Sequence, residues 1–181
     1  METTEKIVEA YVRYVRGWLT IPNIKCKGQL EIDLLAVDVT NPTNVLRYHI
    51  ESGVSISGGF SKLTNKKFSP EKLKKNVEKA SQRRTLGYFL MLKFTGSGIV
   101  KKLKEFGFNK GNYNKVIVSW GWEDDVPVAA KKAGVELWDF KNILGEMVKM
   151  TSGNRTYFID DTMRTVQLLA KALDIKVLNN Q

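Results

Sequence analysis

The sequence predicts an α/β fold in which a mixed central sheet is flanked by helices. Three observations support this prediction. The chain has 181 residues, which is enough for one domain with a sizeable core. Strand-like runs near the N-terminus are separated by short turns, which favours antiparallel pairing. In the second half, strand-like and helical segments alternate, as is typical of parallel strands joined by helical crossovers.

The first third of the chain predicts one helix and then three strands. Apolar residues recur at three- and four-residue spacing from about residue 3 to Gly17. "WLTIPNIKCKGQ" predicts a short strand broken by Pro22, and "LEIDLLAVDV" a central strand, because its inner half is apolar on both faces. "VLRYHIES" alternates, so two sets of side chains are predicted on opposite faces. These are Leu46, Tyr48 and Ile50 on one face, and Arg47, His49 and Glu51 on the other.

The rest of the chain continues this pattern. Ser69 followed by Pro70 is a typical helix start, and the predicted helix carries a thin apolar stripe among lysines. "TLGYFLMLKF" is apolar and aromatic, and is predicted to be a buried strand. A helix, a strand, a helix, a strand and two closing helices are expected after it. With no internal repeat and no linker, we expect a single domain over residues 1–181, with C-terminal helices from about residue 141.

Composition excludes several classes of protein. No run approaches the roughly 18 apolar residues of a membrane-spanning helix, and the N-terminus lacks a signal-peptide core. Cys26 is the only cysteine and His49 the only histidine. These are too few for a disulfide or for a Cys/His zinc site. We therefore expect a cytoplasmic protein without a membrane partner.

Positive charge is concentrated in one stretch. The chain has a net charge of +10, and the segment from Ser61 to Arg84 contains nine basic residues against two glutamates. Such a field favours a polyanion as partner, although a solvated helix face on a basic protein is the alternative. The residues predicted to bind nucleic acid are Lys62, Lys66, Lys67, Lys74, Lys79, Arg83 and Arg84.

Two acids lie near the ends of the second and third predicted strands. Asp33 and Glu51 could converge on one face if these strands pair. Two carboxylates with a backbone carbonyl and waters suit Mg²⁺ or Mn²⁺. A metal held in this way can activate water and stabilise charge on a phosphate. Alternatively, both acids are simply solvated.

The quoted strands resemble the PD-(D/E)XK nuclease superfamily. "LEIDLLAVD" followed by "YHIES" is similar to its motif, and the predicted order of elements is similar to its helix, three strands, helix, strand core. "GVELWDFKNILGEM" also resembles the late strand and helix of Mrr-like members. The resemblance implies a restriction-endonuclease-like fold and a metal-dependent nuclease, which hydrolyses DNA phosphodiester bonds with activated water. Double-stranded or branched DNA, as in Holliday-junction resolvases, is the implied substrate.

The resemblance also implies roles for individual residues. Asp33 and Glu51 match the two metal-binding acids of the motif, and the carbonyl of Ser52 matches a backbone ligand. Many members add a glutamate from the first helix. Glu9 is the predicted match and Glu5 the alternative, although Glu9 could instead pair with Arg13 four residues on.

The chain departs from the motif at one position. The motif lysine would be at Gly53, and glycine cannot perform its role. Some members carry this lysine on the helix after the third strand, where Lys72 and Lys75 are the predicted candidates. Lys62 and Lys79 are alternatives, and Gln29 could hold a water instead. The other interpretation is a catalytically silent nucleic-acid-binding module of the same fold.

Two further expectations concern His49 and oligomerisation. His49 shares the predicted strand face of Glu51 and could be either a general base or a structural hydrogen-bonding residue. A homodimer is also considered, because family members often dimerise. The apolar residues proposed for its interface are Trp138, Phe140, Ile143, Leu144 and Met147.

Overall fold

The computed structural model describes residues 2–54, 60–75, 77–154 and 156–173. It shows a mixed α/β fold, in which a five-stranded sheet is flanked by helices. Strands lie in the sheet in chain order. They are β1 (Leu19–Lys25), β2 (Glu31–Asp38), β3 (Leu46–Ser52), β4 (Asn114–Ser119) and β5 (Val135–Asp139).

Strand direction changes in the middle of the sheet. β1, β2 and β3 pair antiparallel, whereas β4 and β5 run parallel to β3. The predicted mixed sheet is therefore confirmed. The prediction that Pro22 breaks the first strand is wrong, since β1 continues through it. β1 is an edge strand, where a missing N–H is tolerated.

Helices precede β1, lie between β3 and β4 and between β4 and β5, and follow β5. Two of them continue as π-helical segments. The helices are α1 (Thr3–Ala10, continued by Tyr11–Val15), α2 (Pro70–Lys74), α3 (Lys79–Arg83), α4 (Leu86–Tyr88, continued by Phe89–Phe94), α5 (Ser97–Glu105), α6 (Val126–Lys132), α7 (Phe140–Ser152) and α8 (Asp161–Ala172).

The prediction that "TLGYFLMLKF" is a buried strand is wrong, because the segment is helical. It forms α4 and the π-helical segment Phe89–Phe94. The Thr85 side chain accepts a hydrogen bond from Tyr88 N and so caps the helix start. A continuous apolar run does not distinguish a buried strand from a buried helix, because neither periodicity is visible in it.

The basic helix after Ser69 is also different from its prediction. Ser69 does cap α2, since its side chain accepts from Lys72 N. However, the segment forms two short helices, and Glu78 between them has a left-handed backbone with φ of 50°. A non-glycine residue in this region interrupts a right-handed helix.

The core lies on both faces of the sheet. One buried cluster joins α1, α7 and α8 to Leu34 and Ile50. On the other face, Phe89 and Phe94 cover Ile117, and α5 packs over Leu35. Three residues of the predicted dimer surface, Phe140, Ile143 and Met147, are buried in the first cluster. That part of the predicted interface is therefore internal packing. In the described part of the chain, every helix is too short or too polar to cross a membrane.

Candidate active site

Asp33 and Glu51 come together at one end of β2 and β3. Leu34 pairs with Ile50, so the next residues outward along the two strands are Asp33 and Glu51. Asp33 is 6% exposed and Glu51 is 0% exposed. The Ser52 N–H donates to Asp33 Oδ2 at 2.8 Å and fixes that carboxylate to the end of β3. Two carboxylates buried this deeply require positive charge beside them.

Lys93 supplies that charge. Its Nζ lies 2.9 Å from Asp33 Oδ1 and 2.5 Å from Glu51 Oε2. It also donates to the carbonyl oxygen of Glu31 at 2.9 Å. The residue itself is only 9% exposed. One ammonium group therefore joins the two acids that the motif comparison selected, and it comes from the π-helical segment Phe89–Phe94, which follows α2, α3 and α4.

The π-helical segment explains how Lys93 reaches this position. Wider turns place Phe89, Lys93 and Phe94 together on the buried side. The Thr95 hydroxyl donates to the carbonyls of Leu90 and Met91, where the segment ends. π-helical turns occur frequently at functional sites, because the extra residue redirects side chains. Here the redirected side chain is a lysine.

Gly53 lies against the same segment. A Cβ atom at Gly53 would be 2.8 Å from Phe89 Cζ, closer than carbon atoms normally approach. Phe89 is 2% exposed and lies in the second core cluster. A lysine at position 53 is therefore incompatible with the helix that carries Lys93.

Burial shifts the pKa of each charged group in the site. It raises the pKa of Glu51 to about 7. Burial, with the nearby charge of Glu51, also raises the pKa of Asp33 to about 7. For Lys93, burial opposes the charge, but the carboxylates of Glu51 and Asp33 raise the pKa above its ordinary value. Lys93 is thus an ammonium ion at neutral pH and is unsuited to accept a proton.

His49 lies beneath Glu51 and is as deeply buried. Its Nε2 is 2.6 Å from Glu51 Oε1, and both side chains are 0% exposed. Burial lowers the pKa of His49 to about 3, so the imidazole is neutral at pH 7. The ionised form of Glu51 can only accept a hydrogen bond, so toward that form the neutral ring is the donor, in the tautomer with its proton on Nε2.

The first helix contributes Glu5, the alternative candidate. Carboxylate oxygens of Glu5, Glu31 and Asp33 lie within 4.8 Å of one another. Burial raises the pKa of Glu5. Glu9, the predicted match, instead accepts from Thr20 at 3.4 Å and lies 4.0 Å from Arg13. It is outside the described lining of the cleft.

An open cleft of about 860 Å³ reaches Asp33 and Lys93, whereas Glu51 and His49 are not part of its described lining. Its acidic side includes Glu2 and Glu5 at the start of α1, together with Glu31 and Asp33. Ser52, Gly53 and Gln29 also line it. Arg83 and Arg84 also line the cleft and supply positive charge. The lining therefore offers groups for a cation and groups for an anion.

Some of the basic residues predicted from the sequence line the cleft, and others are exposed elsewhere. Lys62, Lys66 and Lys67 are exposed, as are Lys72, Lys74, Lys75 and Lys79. Lys72 pairs with Glu78 at 3.1 Å, away from the two acids. Among the described basic residues, those that line the cleft are Arg83, Arg84 and Lys93. Arg84 is held by a hydrogen bond from its guanidinium to Ser61 Oγ.

Sequence reasoning did not select Lys93, although one signal was present. Lys93 is the only charged residue in "TLGYFLMLKF". Lysine is almost never fully buried unless it is paired, so a lysine inside a buried run indicates a carboxylate partner.

Comparisons of the chain with protein-family models, with curated proteins and with solved structures found no match.

Proposed function

We propose that this chain is a metal-dependent nuclease that hydrolyses DNA phosphodiester bonds with activated water. The observation that carries the proposal is the contact of one buried ammonium, Lys93, with both Asp33 and Glu51. In this interpretation Lys93 replaces the lysine that the PD-(D/E)XK motif has at position 53. The order of α1 and the first four strands supports a restriction-endonuclease-like core.

The donor set suits Mg²⁺ or Mn²⁺. Asp33 and Glu51 would hold the ion with the carbonyl of Ser52, and Glu5 and Glu31 add carboxylate oxygens on the cleft side. Hard oxygen ligands of this kind are those that Mg²⁺ prefers. The raised pKa of Asp33 and of Glu51 also indicates that one ammonium leaves the buried negative charge under-compensated. When bound, such a metal lowers the pKa of water and stabilises charge on a phosphate.

The chain's own residues supply orientation and charge. Lys93 holds the carboxylates of Asp33 and Glu51 in place, and its fixed positive charge beside the cleft favours negative charge developing on the phosphate. Arg83 and Arg84, which also line the cleft, suit the flanking phosphates. Such contacts position the nucleic acid and carry no sequence information directly.

Plasmid cleavage tests the proposal. Wild-type protein should nick or cut supercoiled DNA with Mg²⁺ or Mn²⁺ and lose this activity in EDTA. Asp33→Asn should abolish cleavage, and Lys93→Met should strongly reduce it. Asp38→Asn is the matched control, because Asp38 lies at the other end of β2 and caps Thr40. Equal cleavage by wild type and Asp33→Asn would reveal a contaminating nuclease and contradict the proposal.

A specific observation favours a second candidate, the catalytically silent nucleic-acid-binding module. Lys93 Nζ donates to Asp33 Oδ1 and to the Glu31 carbonyl, and its third close contact is the ion pair with Glu51 Oε2. Glu51 is fully enclosed, between Lys93 and His49. A site saturated in this way would be a structural ion-pair network. It predicts salt-sensitive DNA binding without cleavage, and binding that Asp33→Asn leaves unchanged.

A further inference from the structure

His49 lies on the buried side of Glu51, opposite the cleft. The hydrogen bond between His49 Nε2 and Glu51 Oε1 measures 2.6 Å, and neither side chain is exposed. The other carboxylate oxygen, Oε2, contacts Lys93. Oε1 therefore has a hydrogen-bond contact with His49, whereas Oε2 has an ion pair with Lys93 and no hydrogen bond among the described residues.

The imidazole ring is itself fixed by packing. The ring of Phe94 meets it edge-on, with centroids 4.9 Å apart. Tyr113 lies 6.3 Å away in a tilted arrangement, and Leu35 is opposite His49 on β2. On the other side, Lys115 is its partner on β4. Ring contacts with Phe94 and Tyr113, in a position flanked by β2 and β4, restrict the directions in which Nε2 can point.

The second ring nitrogen shows that packing alone does not explain this histidine. Among the described residues, Nδ1 has no hydrogen-bond partner, although it is buried. An unpaired buried polar atom is unfavourable, and an apolar side chain would avoid it. The histidine therefore carries the cost of an unpaired buried nitrogen. The interaction that offsets this cost is the hydrogen bond between Nε2 and Glu51.

We propose that His49 is a positioning residue, which holds the Glu51 carboxylate in the orientation that the site needs. The neutral ring donates from Nε2 and transfers no proton. Its kinetic consequence rests on the proposed nuclease function, whereas its structural consequence does not. The interpretation of His49 as a general base is not favoured, because the side chain is fully enclosed.

NMR spectroscopy tests the structural part, because His49 is the only histidine in the chain. A long-range ¹H–¹⁵N spectrum of the wild-type protein at pH 7.5 should show one imidazole, with Nε2 protonated and Nδ1 unprotonated. In Glu51→Gln, the Hε2 resonance should move upfield, since a neutral amide is a weaker acceptor. Protonation at Nδ1, or a ring that does not respond to Glu51→Gln, would overturn the proposal.

Three variants test the consequence for the site. His49→Phe keeps a ring and removes the donor, whereas His49→Gln restores an N–H near the position of Nε2. Loss of a residue that orients a ligand typically costs about 10- to 100-fold in metal affinity or activity. We therefore expect His49→Phe to lose that much in kcat or in Mn²⁺ affinity measured by calorimetry, with KM for DNA unchanged. His49→Gln should recover most of the loss.

Tyr113→Phe is the packing control, since it changes a neighbour of the ring and leaves the donor intact. It should behave as wild type. If His49→Phe keeps wild-type Mn²⁺ affinity and kcat, or if His49→Gln is as impaired as His49→Phe, the residue serves packing alone. If the wild type cleaves no DNA, the nuclease proposal fails, and Mn²⁺ affinity with the imidazole spectrum still decides the role of His49.

Discussion

Gly53 lies so close to Phe89 that a side chain at position 53 would need the space that the Phe89 ring fills. A Cβ atom on Gly53 would lie 2.8 Å from Phe89 Cζ, and Phe89 belongs to the π-helical segment that delivers Lys93. The segment that carries Lys93 therefore fills the space into which a side chain at position 53 would extend. Packing explains the glycine, and the lysine beside Asp33 and Glu51 belongs to the segment that excludes a side chain there.

Gly53→Ala should destabilise the protein by about 1–3 kcal/mol, the usual cost of overpacking a core. The reason is the contact with Phe89, which the surrounding core prevents from moving away. Urea unfolding followed by circular dichroism measures this. Gly145→Ala is the control: Gly145 lies in α7 with open space around its Cβ position. It should be stabilised by about 0.5–1 kcal/mol. Wild-type stability in Gly53→Ala would refute the packing account.

A lysine placed at position 53 on the β3 side should replace Lys93 only when the Phe89 ring is also removed. Lys93→Met should lower single-turnover cleavage by about 100- to 1,000-fold, the scale of losing one electrostatic stabiliser. Adding Gly53→Lys should not restore cleavage, because Phe89 blocks the side chain. Adding Phe89→Ala as well should give partial recovery.

Two controls accompany that series. Lys72→Met should cleave normally, since Lys72 is exposed and pairs with Glu78. Unfolding curves are needed for every variant, because breaking a buried ion pair costs about 3–5 kcal/mol. Recovery by Gly53→Lys while Phe89 is intact would show that the space is available after all.

Much of the fold could be predicted because its signals are local. Ser69 and Pro70 mark the start of α2, and the alternation in "VLRYHIES" assigns Ile50 and Glu51 to opposite faces. "TLGYFLMLKF" was assigned wrongly because its apolar residues are continuous. Its structure depends on the cap at Thr85 and on packing against one face of the sheet. The packing is a tertiary effect, which the local sequence does not reveal.

The site was predictable to the extent that strand register determines it. Asp33 and Glu51 converge because β2 and β3 are neighbours in the chain and in the sheet. Lys93 is 60 residues from Asp33, and no local pattern links the two. The choice between Glu5 and Glu9 depended on how α1 lies over the sheet, which helix periodicity does not specify.

The change in stability caused by Asp33→Asn in the metal-free protein should be more favourable to folding at pH 8 than at pH 5. The pKa of Asp33 is raised from 3.8 to about 7 by burial and by Glu51, against the opposing charge of Lys93. Between these values the folded protein binds more protons than the unfolded chain. Stability contributed by this group therefore falls as pH rises through that window. Asparagine does not ionise and avoids the fall, so the relative gain should be about 1–2 kcal/mol larger at pH 8.

Thermal and urea unfolding in EDTA at both pH values would measure this difference. Comparing the two proteins at each pH cancels the contribution of His49, whose lowered pKa acts in the opposite direction. Asp38→Asn provides the control, because hydrogen bonds from Thr40 lower the pKa of that exposed carboxyl. A gain that is equal at pH 5 and pH 8 would show that Asp33 is ionised throughout.

Arg83 and Arg84 should account for a measurable part of the salt dependence of DNA binding. Each phosphate contact contributes about 0.9 to the slope of log K against log salt concentration. Replacing both arginines with alanine should therefore lower the slope by about 2, if each holds one phosphate at the cleft. Fluorescence anisotropy with duplex DNA across a salt series measures this.

Lys131 and Lys132 of α6 form the matched control pair, with the same change in charge. Both are exposed and lie outside the described lining of the cleft. An equal loss of slope from both double variants would mean that binding follows overall charge, and that the two arginines do not hold phosphates at the cleft.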